Sequence, residues 1–158
     1  MKTQALPRPL ITSSGFDDQM GHGATSVVKS FGDHALSYKN RAEILVVEDE
    51  SDFLEMLGSA LHEYDVVTAQ NGQEALAIFQ QRSPDLVLTD IVMPKLDGVQ
   101  LITEIAKYKT PIVAFSGYAM DESSFGWYMV QESAVKFFEK PFMLDQFVAY
   151  VDEVLKKS

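Results

Sequence analysis

From Glu43 onward the chain alternates short β-branched apolar runs with segments of helical period, and this constrains the fold more than any other feature. Glu43-Ile-Leu-Val-Val47, Asp65-Val-Val-Thr-Ala69, Asp85-Leu-Val-Leu-Thr89, Pro111-Ile-Val-Ala-Phe115 and a weaker run at Val135–Glu139 read as five strands. Between them, Phe53, Leu54, Met56, Leu57, Ala60 and Leu61 fall on one helical face, with Ser51 or Asp52 available as the cap. Ala75, Leu76, Ile78 and Phe79 mark a second helix that stops before Pro84, and Leu101, Ile102 and Ile105 a third. A fourth is expected from about Asp121 to Gln131, and Leu144, Phe147, Val148, Val151, Val154 and Leu155 mark the last. Strand–helix alternation implies an α/β fold with a parallel sheet covered on both faces, because each parallel connection needs a crossover.

Composition sets the outer limits. The 158 residues carry 13 basic and 23 acidic side chains, a net charge of −10, and no cysteine. Thiolate metal sites, disulfides and thiol nucleophiles are therefore excluded. The acidic balance disfavours broad binding to nucleic acid or anionic membrane. Residues 1–41 hold five basic and three acidic residues, a net of +2, which leaves −12 for residues 42–158. The first segment is rich in Gly, Ser and Thr and is expected to be a flexible arm, with a short ordered piece at Ser26–Phe31. Residues 42–158 have the size of one domain. No run suits a membrane span or a secretory signal, so a cytoplasmic protein is expected.

In open parallel sheets the site lies beyond the carboxyl ends of the strands, at the point where strand order reverses. The residues there are Glu48-Asp49, Ala69-Gln70, Asp90, Ser116 and Lys140. Three crowded carboxylates demand a cation, and oxygen ligands without nearby His or Cys suit Mg²⁺. A carboxylate can also attack phosphorus, and a lysine and a hydroxyl can steady the transferring phosphoryl oxygens. The chemistry expected is phosphoryl transfer onto a carboxylate, with Asp90 best placed as acceptor. Each piece has an ordinary reading by itself. Glu48-Asp49-Glu50 could complement a helix N-terminus, Asp90 and Ser116-Gly117 could be turn residues, and Lys140 could be a solvated lysine. Jointly those readings lose ground.

Glu48-Asp49, Asp90-Ile-Val-Met-Pro-Lys-Leu-Asp-Gly98, Ser116-Gly117 and Lys140-Pro141-Phe142 resemble the receiver domain of two-component response regulators. The resemblance runs from residue 43 to about 157. It implies a flavodoxin-like (βα)₅ three-layer sandwich of strand order 2-1-3-4-5. It implies Asp90 as phosphoacceptor, Mg²⁺ held by Asp49, Asp90 and the Val92 backbone carbonyl with Glu48 acting mainly through water, and Ser116 and Lys140 as phosphoryl ligands. A cis Lys140–Pro141 bond and a switch involving Ser116 and Phe137 also follow from it. So do a sensor histidine kinase or histidine phosphotransfer protein as donor, and output through the face of the fourth helix, fifth strand and fifth helix. Such a domain catalyses only its own Mg²⁺-dependent phosphoryl transfer and dephosphorylation.

Three features depart from that pattern. Phe137 has no hydroxyl, so a switch there works by packing alone. Glu132-Ser133-Ala134 stands where the family has a turn with a central glycine, so the loop is expected to differ. Val92 offers no polar group to position hydrolytic water, so a long-lived acyl phosphate is expected. Phe125, Trp127 and Tyr128 make the fourth helix unusually aromatic and mark a partner or homodimer patch. The sequence stops just past the last helix, so output is expected through partner proteins, with no direct DNA binding. The alternative is an atypical receiver that binds partners without phosphorylation. A flavodoxin-like carrier would need a phosphate loop after the first strand, and a haloacid-dehalogenase-type phosphatase a further Asp after Asp90; neither is present.

Overall fold

The computed structural model describes residues 41–118 and 120–157. The expected arm, apart from Arg41, and the ordered piece at 26–31 lie outside the described residues. Five strands form one parallel sheet: β1 (Glu43–Val47), β2 (Asp65–Ala69), β3 (Leu86–Asp90), β4 (Ile112–Ser116) and β5 (Lys136–Glu139). They are joined by α1 (Ser51–Ala60), α2 (Gly72–Arg82), α3 (Gly98–Ile105) and α4 (Phe125–Ser133), and α5 (Leu144–Lys157) closes the fold. Strand order is β2-β1-β3-β4-β5, as the resemblance implied.

Burial explains the order. β3 and β4 are buried at every position and β1 at all but Glu43, whereas β2 and β5 at the edges are largely half-buried or exposed. A strand covered on both faces must be continuously apolar, and only the inner three are. Successive side chains then feed two cores. Leu45, Val47, Val87, Ile112 and Ala114 pack against Ala75 and Phe79 of α2, Leu101, Ile102 and Ile105 of α3, and Val130 of α4. Ile44, Val46, Leu86, Leu88, Val113 and Phe115 pack against Leu54 and Leu57 of α1 and Phe147 and Val151 of α5. Each fully buried aliphatic side chain contributes about 1.5–3 kcal/mol, so both helical layers are firmly held.

Several boundaries differ from the sequence expectation for physical reasons. Glu50, not Ser51 or Asp52, is the N-cap of α1, and it makes no side-chain capping bond. α4 starts at Phe125 rather than near Asp121. There Ser124 accepts the Trp127 N–H at 3.1 Å, while Asp121 is spent on a turn, accepting the Ser123 N–H and hydroxyl. Pro111 has no N–H to give a ladder, and β4 starts one residue later. The Glu132-Ser133-Ala134 connection contains no left-handed residue. Ser133 stays helical and Ala134 is extended at φ −88°, so the missing glycine costs nothing. Left-handed backbone among non-glycine described residues occurs at Ser83, Lys95 and Lys109. The Lys140–Pro141 bond is cis. Arg41 donates to the His62 carbonyl at 3.2 Å.

Candidate functional site

The chain runs from β1 outward to β2, then returns to β3 on the other side of β1, so the sheet reverses between β1 and β3. Val47 and Thr89 are register partners there. The residues that follow, Glu48 and Asp49 on one strand and Asp90 on the other, are therefore neighbours. One oxygen from each lies within 4.8 Å of the others. β4 and β5 extend the same edge, and the Lys140 N–H donates to the Ser116 carbonyl at 2.8 Å.

Lys140 ties the cluster together. Its Nζ donates to Glu48 Oε2 at 2.6 Å and to Asp90 Oδ2 at 2.8 Å. Glu48 is 1% exposed and Asp90 5%, whereas Asp49 is exposed. The remaining oxygens are also engaged. Glu48 Oε1 accepts the Glu50 N–H at 3.2 Å, and Asp90 Oδ1 accepts the Val92 N–H at 3.0 Å. Burial pushes the Glu48 carboxyl above its usual range, with the Lys140 hydrogen bond pulling the other way. Burial works against charge on Lys140, yet its hydrogen bonds to Asp90 and Glu48 outweigh that and hold its pKa above the ordinary value. Lys140 therefore stays an ammonium, and one cation faces three acids.

These groups open onto a cleft of about 560 Å³ whose lining includes Glu48, Asp49, Asp90, Val92, Tyr118 and Lys140. Val92 is 49% exposed at this cleft. The donors are all oxygen, and hard divalent cations favour carboxylate and carbonyl oxygen. The acidic cluster thus fits a Mg²⁺-type ion by its chemistry.

The loop between β3 and α3 is fixed by close backbone approaches. The Gly98 N–H donates to the Ile91 carbonyl at 2.9 Å, and a Cβ at Gly98 would lie 2.1 Å from the Asp90 carbonyl oxygen. α3 begins with a capping box in which Asp97 accepts the Gln100 N–H at 2.9 Å and the Gln100 side chain accepts the Asp97 N–H. Sequence alone places Gly98 in this loop but does not show the backbone approach that requires a glycine there. The signal was Gly98 at the start of a helix, where a glycine has no propensity advantage.

The other expected residues fall in different places. Ser116 is fully buried, its hydroxyl accepting the Tyr118 N–H at 3.1 Å; its neighbours Gly117 and Tyr118 line the cleft. Phe137 on β5 is half-buried, with its ring at 5.4 Å and 87° to that of Trp127. Trp127 thus packs inward against Phe137, while Phe125 and Tyr128 are 73% and 57% exposed. No helix among the described residues is long and apolar enough to cross a membrane.

Residues 44–152 match the family model described as the response regulator receiver domain. The alkaline phosphatase synthesis transcriptional regulatory protein PhoP of Bacillus subtilis strain 168 is 32% identical over 118 residues, covering 73% of this chain and 49% of that protein. Transcriptional regulatory protein GlrR of Escherichia coli K12 is 31% identical over 121 residues, 74% of this chain and 27% of that protein. The chain therefore spans about half or less of these curated relatives. Among solved structures, response regulator protein TrrA of Thermotoga maritima, in complex with Mg(2+)-BeF, is 33% identical with a TM-score of 0.63, covering 72% of this chain and 98% of that one. A receiver domain from Clostridium thermocellum is 28% identical with a TM-score of 0.65, covering 73% and 95%. With its strand order, its acidic cluster at the sheet's reversal point and a family match over 44–152, the chain belongs to the response regulator receiver domain family of two-component systems.

Proposed function

We propose that Asp90 accepts a phosphoryl group from the phosphohistidine of a sensor histidine kinase or a histidine phosphotransfer protein. The carrying observation is Lys140, which bridges Asp90 and Glu48 beside Asp49 in an open cleft. An Asp90 carboxylate oxygen forms the new bond to phosphorus as the donor's P–N bond breaks, and the electron pair leaves with the imidazole nitrogen, which takes up a proton. Asp49, Asp90 and the Val92 carbonyl would hold Mg²⁺, with Glu48 at its outer side. The ion supplies charge neutralisation for the phosphoryl oxygens. Lys140 swings part of its hydrogen bonding from carboxylate to phosphoryl oxygen, and the Ser116 hydroxyl, which accepts the Tyr118 N–H, donates its own O–H to another.

Phosphorylation then signals to a protein partner through α4, β5 and α5, with Phe137 moving against Trp127 and with exposed Phe125 and Tyr128 on the partner or homodimer face. We place the receiver in residues 42–158, with 1–41 outside it, and its work in the cytoplasm. Val92 itself offers no polar group to aim water at the cleft, so the acyl phosphate is long-lived; a half-life of seconds in Mg²⁺ would contradict this.

The test is incubation with acetyl phosphate and Mg²⁺, followed by intact mass. The wild type gains one phosphoryl group and Asp90→Asn gains none. An Asp90→Asn protein that gains the same mass would refute the acceptor assignment.

A further inference from the structure

An ammonium group has three N–H donors and a charge that any electron-rich face attracts. Two of the Lys140 donors go to Glu48 and Asp90. Its Nζ also lies 4.1 Å from the ring centroid of Phe53 and 5.1 Å from that of Phe115. Both distances fall within the roughly 6 Å over which a cation is held by an aromatic face.

The two rings come from different elements. Phe53 stands in the first turn of α1, and helical side chains lean toward the N-terminal end, here the end that follows Glu48 and Asp49. Phe115 is fully buried on β4. Phe53 is braced at 5.9 Å by Phe115 and at 5.9 Å by Phe142, the residue after Pro141. The lysine head is thus gripped by carboxylates and by aromatic rings that are themselves fixed against one another.

We propose that Phe53 is a positioning residue for phosphoryl transfer, its ring face seating the Lys140 ammonium beside Asp90 while the carboxylates yield it to the incoming phosphoryl group. This rests on the reading of Asp90 as phosphoacceptor. The carboxylates are the partners that Lys140 must partly give up, whereas a ring competes for no N–H. A ring face attracts the charge without demanding one hydrogen-bond direction, so the ammonium can turn a donor to a new oxygen without leaving its place. Without a seat, the four-carbon stem regains the rotamer freedom that makes lysine a poorly pre-organised ligand. Leucine at position 53 keeps apolar packing and loses the ring; tyrosine keeps the ring.

The test uses the full chain as wild type, Phe53→Leu, Phe53→Tyr and Asp90→Asn. It measures the Mg²⁺-dependent rate of phosphorylation by acetyl phosphate, Mg²⁺ affinity by calorimetry, and the NMR shifts of the Lys140 ε-methylene protons. Phe53→Leu lowers the rate on the order of five-fold at unchanged Mg²⁺ affinity, and Phe53→Tyr restores it. The ε-methylene protons lie upfield, under ring current, in wild type and Phe53→Tyr and move downfield in Phe53→Leu. A Phe53→Leu protein as fast as wild type, a Phe53→Tyr protein as slow as Phe53→Leu, or a Mg²⁺ affinity falling with the rate overturns the seat and leaves the acceptor reading intact. A wild type that takes no phosphoryl group removes the acceptor reading and the seat with it.

Discussion

Gly98→Ala offers a test in which two ordinary effects oppose each other and the structure decides the sign. Gly98 is the first residue of α3, and alanine is the better helix former by up to about 1 kcal/mol in a helix interior. Yet a Cβ at this position would sit 2.1 Å from the Asp90 carbonyl oxygen, 2.6 Å from Ile91 Cα and 2.9 Å from the Asp90 carbonyl carbon. Bringing the first contact out to 3.0 Å, below which Cβ atoms are essentially never found, needs a movement of about 0.9 Å (3.0 minus 2.1). All three atoms are backbone, so no rotamer change relieves them. Overpacking costs about 1–3 kcal/mol, and three unyielding backbone contacts put this site at the upper end, so after a propensity gain of at most about 1 kcal/mol a net loss of about 2 kcal/mol remains. The atoms pushed belong to Ile91 and to Asp90, the proposed phosphoacceptor, and a displacement near 1 Å at a reacting group costs on the order of 10²-fold in rate. Gly58→Ala is the internal control. It lies in α1 with nothing within 4 Å of its added Cβ, so it should stabilise by about 0.5–1 kcal/mol. Urea midpoints and the rate of phosphorylation by acetyl phosphate with Mg²⁺ read out both proteins. A Gly98→Ala protein at least as stable as wild type and phosphorylated as fast would refute the close-approach reasoning.

Three further outcomes are expected. The Tyr64 hydroxyl donates to Asp152 on α5, and burial together with that bond pushes the Tyr64 pKa up to about 12. A folded-state pKa raised above the unfolded value stabilises below about pH 10 and loses that contribution as pH rises toward 12; the excess of wild-type over Tyr64→Phe urea stability should therefore shrink across that window, and a constant gap would contradict it. Asp97→Ala removes the α3 cap and should cost about 1 kcal/mol in urea denaturation, a loss below about 0.3 kcal/mol counting against the capping box. Trp127 is the single tryptophan and packs on Phe137, so its emission should change when beryllofluoride and Mg²⁺ are added to wild type but not to Asp90→Asn; a silent wild type with Mg²⁺ bound would argue against movement of Phe137.

The sheet was legible because burial on two faces writes itself into sequence. Ile44–Val47, Leu86–Leu88 and Ile112–Phe115 are continuous apolar runs, and all are fully buried inner strands. The acidic cluster was legible by position, since residues following inner parallel strands collect at one edge. Helix starts were less so. Ser51 looked like a cap and is not one, because the choice depends on which backbone N–H groups a side chain reaches after the turn is set. Trp127 read as part of an exposed aromatic face, but helical period alone does not say that β5 presents Phe137 to it. Phe53 read as a core position of α1; its second face, toward Lys140, follows from residues 87 positions apart (140 minus 53) meeting in space.

The sequence by itself determined the strand–helix alternation, the parallel sheet and the set of groups brought to its carboxyl edge. Those depend on local periodicity and on one general rule of connection. Only the tertiary structure decided that Lys140 bridges Asp90 and Glu48 and rests on Phe53. It also decided that Gly98 must lack a side chain because the Asp90 carbonyl occupies its space. These facts are distances between elements remote in the chain. Side-chain pattern specifies which face a residue occupies, but the separation of two faces is fixed only when the layers pack.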